Sequence, residues 1–299
     1  MQRKTVIILA GPTAVGKTGI AVSLAAQLRT SVISADSRQC YQGMVIGTAQ
    51  PSPAQLAVVS HYFINEFPVT QSLNAADFER LALGYLDTIF SHSDTAVVCG
   101  GTGLYIRALC DGLDEMPAAD EAIRKEVEAQ YALQGLKWLQ EQMQAHDAAF
   151  MAQADGANPA RLLRALVFTL STGESILKYQ SAQKKSRPFR ILKIGLDLPR
   201  EVLYNRINHR VDLMMDEGFL DEAKALYPLR HLKNLQTVGY AELFDFLSGN
   251  ITLERAVELI KQHTRNYAKR QLTWFRKDSE MHWLRADDRG VIPAINALL

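Results

Sequence analysis

Short apolar runs alternate with amphipathic stretches along the first third of the chain. The runs that predict strands are 5–10, 31–35, 61–64 and 95–99. The stretches 16–28 and 74–90 predict helices, and the second begins with Asn74 as its N-cap and Asp77 in the first turn. A further helix is expected from Leu104. Strands that alternate with helices indicate an α/β fold, a parallel sheet with helices on both faces.

The pattern changes after residue 112. From 113 to 188 only helical periodicity is present, and Asn158-Pro159 is a good helix start because a cap residue precedes a proline in the first turn. A strand returns at 189–196, the segment 200–277 is helical, and 281–284 predicts a short edge strand. We therefore expect an α/β core, 1–112 with 189–299, interrupted by an all-helical insertion domain at 113–188. The segment 37–60 predicts loop with short turns, and 184–188 predicts an exposed linker.

A phosphate-binding motif follows the first strand. Its residues are Gly11, Pro12, Thr13, Ala14, Val15, Gly16, Lys17 and Thr18, the spacing G-x-x-x-x-G-K-[ST] of a P-loop. The glycines let several backbone N–H groups point at one anion, and the helix that begins near Lys17 adds its positive end. Lys17 supplies a charge to phosphate oxygens and the Thr18 hydroxyl can hold Mg²⁺. The motif predicts a P-loop NTPase-like sheet that binds a polyphosphate.

Composition narrows the classes of partner. The chain has 299 residues, 47% hydrophobic, with a formal net charge of +1, so any nucleic-acid surface must be a local patch. No apolar run approaches the roughly 20 residues that span a bilayer, so no membrane is expected. The three cysteines form no C-x-x-C pair, which favours a reducing compartment and no structural zinc.

Two strand ends carry candidate ligand-binding residues. Asp36 follows the second strand, and ligands of open α/β sheets bind at such carboxyl ends. Its position fits equally a carboxylate that contacts Mg²⁺ through water and a general base. The run Gly100-Gly101-Thr102-Gly103 either lets the backbone approach a ligand or forms a tight turn without one.

Two cationic patterns lie in the last third. Arg206 and Arg210 are four apart beside an apolar stripe, an arrangement that suits a pyrophosphate, although a solvated helix face is the commoner explanation. The stretch 261–277 holds six cations, three interleaved aromatics and no acidic residue. It is typical of an RNA surface, and the alternative is a core helix whose charges are merely solvated.

Taken together, these segments resemble the tRNA dimethylallyltransferase family, in order and over nearly the whole chain. The matching pieces are Gly11-Pro-Thr-Ala-Val-Gly-Lys-Thr18, Asp36-Ser-Arg-Gln39, Tyr41-Gln-Gly-Met44, Ile46-Gly-Thr48, Gly100-Gly-Thr-Gly-Leu-Tyr105, Asn158-Pro-Ala-Arg161, Arg206-Ile207, Arg210-Val-Asp212, Val238-Gly-Tyr240 and Lys269-Arg-Gln-Leu-Thr-Trp-Phe-Arg276. A P-loop alone is shared by many families, whereas this ordered set is specific.

The resemblance implies a reaction. A dimethylallyl group moves from dimethylallyl diphosphate to the exocyclic amine of the adenine immediately 3′ of the anticodon in tRNA, and the P-loop residues 11–18 grip the diphosphate rather than cleave ATP. It implies that Thr18 holds Mg²⁺ and that Asp36 is the base that takes the proton of the adenine amine. It also implies that Thr13 bonds to the oxygen between the allyl group and the diphosphate, and that Arg210 neutralises the charge on the diphosphate. We expect a cytoplasmic monomer.

The same resemblance implies two sets of tRNA contacts, because the adenine must leave its stack to reach the allyl group. The flipped base and its neighbours would be held by Asp36, Ser37, Arg38, Gln39 and Thr102. The anticodon stem-loop would contact Arg124, Pro159, Ala160, Arg161, Leu162, Leu163, Val238, Gly239, Tyr240, Lys269, Arg270, Gln271, Trp274 and Arg276.

Two other functions share parts of this pattern. A small-molecule or nucleotide kinase has the P-loop, the sheet and Mg²⁺, but it does not explain the basic C-terminal helix, and no Arg-rich lid is found. An RNA-binding protein with an ATP-dependent switch leaves Asp36 and Thr13 without a catalytic role. Substrate dependence separates the three, because only the prenyltransferase consumes dimethylallyl diphosphate without a nucleoside triphosphate.

Overall fold

A parallel sheet forms the centre of the computed structural model, which describes residues 4–180 and 183–299. Its six strands are β1 (Thr5–Ala10), β2 (Val32–Ser34), β3 (His61–Tyr62), β4 (Thr95–Gly100), β5 (Arg190–Asp197) and β6 (His282–Arg285). They lie in the order β3-β2-β4-β1-β5-β6, and every neighbouring pair is parallel. All six residues of β1 are buried between β4 and β5, as expected for an apolar strand covered on both faces.

Helices connect the strands in the manner that the alternating pattern predicts. In the described residues they are α1 (Lys17–Gln27), α2 (Pro53–Val58), α3 (Ala75–Phe90), α4 (Gly103–Asp111), α5 (Glu121–His146), α6 (Ala148–Gln153), α7 (Pro159–Thr172), α8 (Arg200–Asp216), α9 (Phe219–Leu226), α10 (Tyr240–Leu247), α11 (Leu253–Phe275) and α12 (Val291–Ala297). The Asn74 side chain caps α3 in a reciprocal capping box with Asp77. The predicted fold class, an α/β sheet with a helical insertion, is confirmed.

The chain divides into two compact units. One comprises Met1–Asp111 and Ser186–Leu299 and contains the sheet, and the other is Gly112–Lys185. In the sheet unit, Leu24 of α1 and Leu203 of α8 pack with the strands in one buried apolar cluster. This cluster fixes both helices against the carboxyl end of β1, where the P-loop motif begins.

The helical unit has its own core. Leu139, Met143, Phe150 and Leu166 are almost completely buried together. Gly135, with φ 75°, breaks α5, because a left-handed residue cannot continue the helix. Asn158 caps α7 by accepting from the N–H of Arg161, as the Asn-Pro dipeptide predicts.

Three local predictions were wrong. The segment 37–60 contains α2, which the pattern missed because the helix has no buried residue. The strand predicted at 61–64 ends after Tyr62, since Phe63 has φ 64° and donates its N–H to Glu66. The linker at 184–188 is not wholly exposed, because Arg187 forms a buried ion pair with Glu79.

Candidate active site

The loop between β1 and α1 has the backbone shape of an anion-binding nest. Ala14 and Gly16 both have positive φ, 63° and 106°, which turns successive N–H groups toward one side. Gly11 is required by close packing as well, because a Cβ there would lie 2.6 Å from the carbonyl oxygen of Leu196. The loop therefore combines an N–H concavity with the positive end of α1.

Lys17 lies inside this loop. Its Nζ donates to the carbonyl oxygens of Gly11 at 3.0 Å and Pro12 at 2.7 Å. Burial lowers the pKa of Lys17 to about 8, although the charge of Asp36 opposes the shift. A buried ammonium group gains stability when an anion enters, so the loop is electrostatically prepared for phosphate oxygens.

Two arginines of α8 reach the same loop. Arg206 donates from Nη1 to the carbonyl oxygen of Val15 at 3.2 Å, and Arg210 donates to Oγ1 of Thr13 at 3.4 Å. Burial lowers the pKa of Arg210, and the Asp36 carboxylate opposes the shift. The i, i+4 spacing therefore places both guanidinium groups at the loop, including that of Arg206, which is solvent-exposed.

Asp36 follows β2 and begins a tight turn. Its Oδ1 accepts from the backbone N–H of Arg38 at 2.9 Å and of Gln39 at 3.3 Å, while Ser37 donates its N–H to Oγ1 of Thr102 at 3.0 Å. The turn thus places the half-buried Asp36 carboxyl at the wall of a cavity. The sequence-predicted residues 36–39 and Thr102 come together here.

Glycines 100 and 101 serve close packing of the protein with itself. A Cβ at Gly100 would lie 2.2 Å from the carbonyl oxygen of Ala35, and one at Gly101 would lie 2.1 Å from Nε2 of Gln271. The tight-turn alternative therefore explains these two residues, and Thr102 joins the Asp36 turn through its hydroxyl, which accepts the N–H of Ser37.

The cavity has a volume of about 120 Å³ and a mixed lining. Its polar wall includes Thr13, Asp36, Arg38, Thr48 and Arg210. Its apolar wall comprises Ile207, Val211, Met214, Phe219, Val238 and Ile260. A charged end beside an apolar pocket suits a small ligand that has an anionic head and a hydrocarbon tail.

Several lining residues were missed by sequence reasoning. Phe219 and Ile260 lie in ordinary amphipathic helices, and nothing in the local sequence distinguishes them from core residues. Thr48 lies in the matched Ile46-Gly-Thr48 segment, which was the available signal. Tyr267 also lines the cavity. Burial and, to a smaller extent, the nearby Asp36 charge raise the pKa of its phenol to about 12, so the phenol keeps its proton.

A carboxylate from α9 holds the loop that carries part of this lining. Glu222 accepts the backbone N–H groups of Val45 at 2.9 Å, Ile46 at 2.7 Å and Gly47 at 2.9 Å. It also accepts the hydroxyl of Tyr240 at 2.6 Å. Three donors from the loop to one carboxylate fix the loop strongly, since bonds to a charged acceptor are stronger than neutral ones.

Tyr240 and Gln271 differ from their expected role as RNA contacts. Tyr240 is fully buried, and Gln271 is 6% exposed with its amide bonded to Thr13 and Gly101. Their polar atoms are bonded within the protein and have almost no accessible surface, so the structure gives both side chains a packing role instead of the predicted RNA contact. Val238 and Gly239, by contrast, line the cavity.

The basic stretch of α11 has an inner and an outer face. Lys261 pairs with Asp212 at 2.5 Å, and Arg265 donates to Asn208 at 2.6 Å, so both cations face α8. The outer face is exposed and consists of Lys269, Arg270 and Trp274, and it continues into Arg276 and Lys277, which follow the end of the helix at Phe275. Of these, Arg276 also pairs with Asp197 at 2.8 Å.

In the helical unit, the predicted RNA contacts lie at the starts of α5 and α7. Arg124, Ala160 and Arg161 are exposed, and Pro159 and Leu163 are partly buried. Leu162 is fully buried in the core of this unit. Leu162 was predicted to contact RNA, and the structure instead gives its side chain a packing role.

The described residues of the sheet unit offer too few ligands to hold a divalent cation unless a bound anion supplies the others. In residues 4–180 and 183–299, no group of three or more His, Cys, Asp or Glu could hold a metal ion. The half-buried Thr18 lies in the first turn of α1, and Asp36 supplies a carboxylate charge felt by Lys17. A hydroxyl and a carboxylate, completed by phosphate oxygens and water, suit a hard divalent cation.

Throughout the described part of the chain, no helix has the length and apolar character needed to cross a membrane.

The sequence and the fold match known proteins over nearly the whole chain. Residues 39–278 match the family model described as IPP transferase. The tRNA dimethylallyltransferase 1 of Phocaeicola vulgatus is 43% identical over 288 residues, which cover 96% of each chain. The crystal structure of the tRNA isopentenylpyrophosphate transferase from Bacillus halodurans aligns with a TM-score of 0.73 and 37% identity, over 99% of this chain and 95% of that one. A eukaryotic dimethylallyltransferase acting on tRNA has the same fold, with a TM-score of 0.79 at 23% identity, over 99% of this chain and 78% of that one. The chain therefore belongs to the IPP transferase family.

Proposed function

We propose that this protein transfers a dimethylallyl group from dimethylallyl diphosphate to the exocyclic amine of the adenine immediately 3′ of the anticodon in tRNA. The cavity is the observation that carries the proposal, because Thr13, Asp36 and Arg210 line it together with an apolar wall. The names of its relatives, which act on tRNA and use an isopentenyl or dimethylallyl group, support the same reaction.

The diphosphate occupies the P-loop. The loop 11–18 supplies the N–H nest at Ala14 to Gly16, the buried Lys17 ammonium group and the positive end of α1. Arg210 and Arg206 reach the loop from α8, so cationic donors surround the leaving group from two sides. Neutralising the charge that develops on a departing diphosphate is the largest contribution that such a site makes to the rate.

We propose that Mg²⁺ accompanies the diphosphate. The Thr18 hydroxyl would hold the ion, with the Asp36 charge nearby and diphosphate oxygens completing its shell. When bound, Mg²⁺ withdraws charge from the leaving group.

Thr13 acts at the bond that breaks. Its Oγ1 accepts from Arg210, which uses a lone pair and leaves the hydroxyl proton free to donate to the oxygen that bridges the allyl carbon and the diphosphate. That bond breaks with its electron pair on the diphosphate. The apolar wall, including Met214 and Phe219, holds the branched hydrocarbon chain.

Asp36 takes the proton of the adenine amine. The carbon–nitrogen bond forms as the carbon–oxygen bond breaks, and the amine loses one proton to the Asp36 carboxylate. The base must leave its stack to enter the cavity, and Ser37, Arg38, Gln39 and Thr102 lie where they can hold it.

The anticodon stem-loop contacts the outer face of α11 and two exposed arginines of the helical unit, Arg124 and Arg161. Exposed cations beside the aromatic Trp274 suit a phosphate backbone with unstacked bases. We propose that a monomer is active and that it acts on tRNA in the cytoplasm.

The test incubates purified protein with Mg²⁺, radiolabelled dimethylallyl diphosphate and unmodified tRNA in the absence of ATP, followed by nucleoside analysis. Label in isopentenyladenosine beside the anticodon supports the proposal. Consumption of ATP with a small acceptor, without label in tRNA, would indicate a kinase. ATP hydrolysis stimulated by RNA, again without label, would indicate an RNA-dependent switch.

A further inference from the structure

Gln271 lies on α11, within the basic stretch, yet its side chain runs into the protein. It is 6% exposed, whereas its neighbour Arg270 is exposed. Its Oε1 accepts the backbone N–H of Thr13 at 2.8 Å, and its Nε2 donates to the carbonyl oxygen of Gly101 at 2.9 Å. One buried amide thus bridges the P-loop and the end of β4.

The oxygen and the nitrogen of the Gln271 amide each have a hydrogen-bond partner of the right kind. A primary amide offers an acceptor and a donor on one planar group, and here each finds a backbone partner. The contact is so close that a Cβ on Gly101 would lie 2.1 Å from Nε2 of Gln271. A buried pair of this kind is costly to break, because removal of one partner leaves the other unsatisfied.

The hydrogen bond from Thr13 to Gln271 fixes the orientation of the Thr13 backbone. Its N–H is directed at Gln271 and is not available to a phosphate oxygen, so the Thr13 peptide is oriented by α11. The Thr13 hydroxyl oxygen is held separately by Arg210 at 3.4 Å. The backbone and side chain of one residue are therefore fixed by two different helices, α11 and α8.

We propose that Gln271 is a positioning residue that fixes Thr13 for the cleavage of the allylic carbon–oxygen bond. The inference rests on the proposed function. Gln271 contacts neither substrate; it acts through Thr13, and its place on the RNA-facing helix does not make it an RNA contact. The helix that presents cations to tRNA also orients the reacting end of the P-loop.

The main experiment measures kcat, KM for dimethylallyl diphosphate and Kd for tRNA in two variants. Gln271→Glu keeps the acceptor for Thr13 but directs an oxygen at the Gly101 carbonyl, and Gln271→Met removes both bonds. We expect kcat to fall roughly 10- to 100-fold, as for other small misplacements at a reacting centre, with Kd for tRNA unchanged. Gln262→Met, an exposed glutamine on the same helix, is the matched control and should behave as the wild type.

A double-mutant cycle with Thr13→Ala separates positioning from a general structural effect. If Gln271 acts through the Thr13 hydroxyl, its loss should matter little once that hydroxyl is gone. Adding Gln271→Met to Thr13→Ala should therefore reduce kcat by less than about threefold, because the two changes remove the same interaction. Multiplicative losses, or a Thr13→Ala variant as active as the wild type, would overturn the proposal. Thermal unfolding of each variant identifies any variant that is simply unfolded, and Gln271→Glu then carries the test.

The outcomes also separate this inference from the proposed function. Wild-type protein that puts no label into tRNA overturns the transferase proposal itself. Wild-type transfer together with normal kcat in both Gln271 variants overturns only the role of Gln271. A loss of tRNA affinity with unchanged kcat would instead make Gln271 an RNA contact.

Discussion

Asp36→Asn removes the proposed base while leaving its surroundings intact. Oδ1 accepts the N–H groups of Arg38 at 2.9 Å and Gln39 at 3.3 Å, and the amide oxygen of asparagine can accept the same two bonds. The turn that holds the flipped base should therefore persist. What is lost is the negative charge and the ability to take a proton.

The expected size of the effect follows from these roles. A positioned general base contributes about 10²- to 10⁴-fold to a rate, and each factor of ten corresponds to about 1.4 kcal/mol of barrier. We therefore expect the barrier to rise by roughly 3–5 kcal/mol. Affinity for dimethylallyl diphosphate should change little, because the loss of a negative charge close to Lys17 and Arg210 favours the anion while it weakens the attraction for the accompanying Mg²⁺.

The assay is single-turnover transfer of label to tRNA, with tRNA affinity measured in parallel. Asp87→Asn makes the same chemical change at an exposed position of α3 and should have no effect on either quantity. A single-turnover rate constant for Asp36→Asn within threefold of the wild type would refute the role of Asp36 as base. A large loss of tRNA affinity would show that its charge serves binding instead.

The other predictions concern packing, a buried ion pair and salt. In thermal unfolding, Gly47→Ala should destabilise the protein by about 1–3 kcal/mol through overpacking, because the Cβ would lie 2.2 Å from the Phe219 ring. Gly84→Ala, in open space on α3, is the control and should be neutral or stabilising in the same assay. Glu79→Gln should lower the free energy of unfolding by about 3 kcal/mol, since it leaves Arg187 buried without its counterion; a loss under about 1 kcal/mol in denaturant titration would be typical of an exposed pair. Affinity for tRNA should fall roughly 100-fold over a fourfold rise in salt if the outer face of α11 makes about four phosphate contacts, and a flat response in filter binding would remove α11 as the RNA surface.

The features that the sequence predicted correctly depend on local chemistry. A short, mostly apolar run at 5–10, followed directly by a glycine-rich loop, predicts a strand buried on both faces, and all six positions of β1 are buried. Asn74 and Asp77 form the capping box of α3, since cap and acceptor lie within one turn. The spacing of Gly11, Gly16 and Lys17 likewise determines the loop between β1 and α1.

The pattern of α11 could not show which side faces inward. Its cations and aromatics suggested one RNA surface, but Lys261 and Arg265 bond to α8 and Gln271 bonds to the P-loop. A helix period gives the spacing between faces, whereas the neighbour that packs on each face depends on the rest of the fold. Tyr240 was misassigned for the same reason.

Local sequence is enough to predict the elements and the chemistry that each carries: the anion loop, the carboxylate at a strand end and the paired arginines four residues apart. Which of these residues meet depends on tertiary packing. Arg210 reaches Thr13 across 197 positions, and Glu222 holds the N–H of Gly47 across 175. Contacts at such separations leave no periodic trace in the local sequence, because they depend on how the sheet and its helices pack in three dimensions.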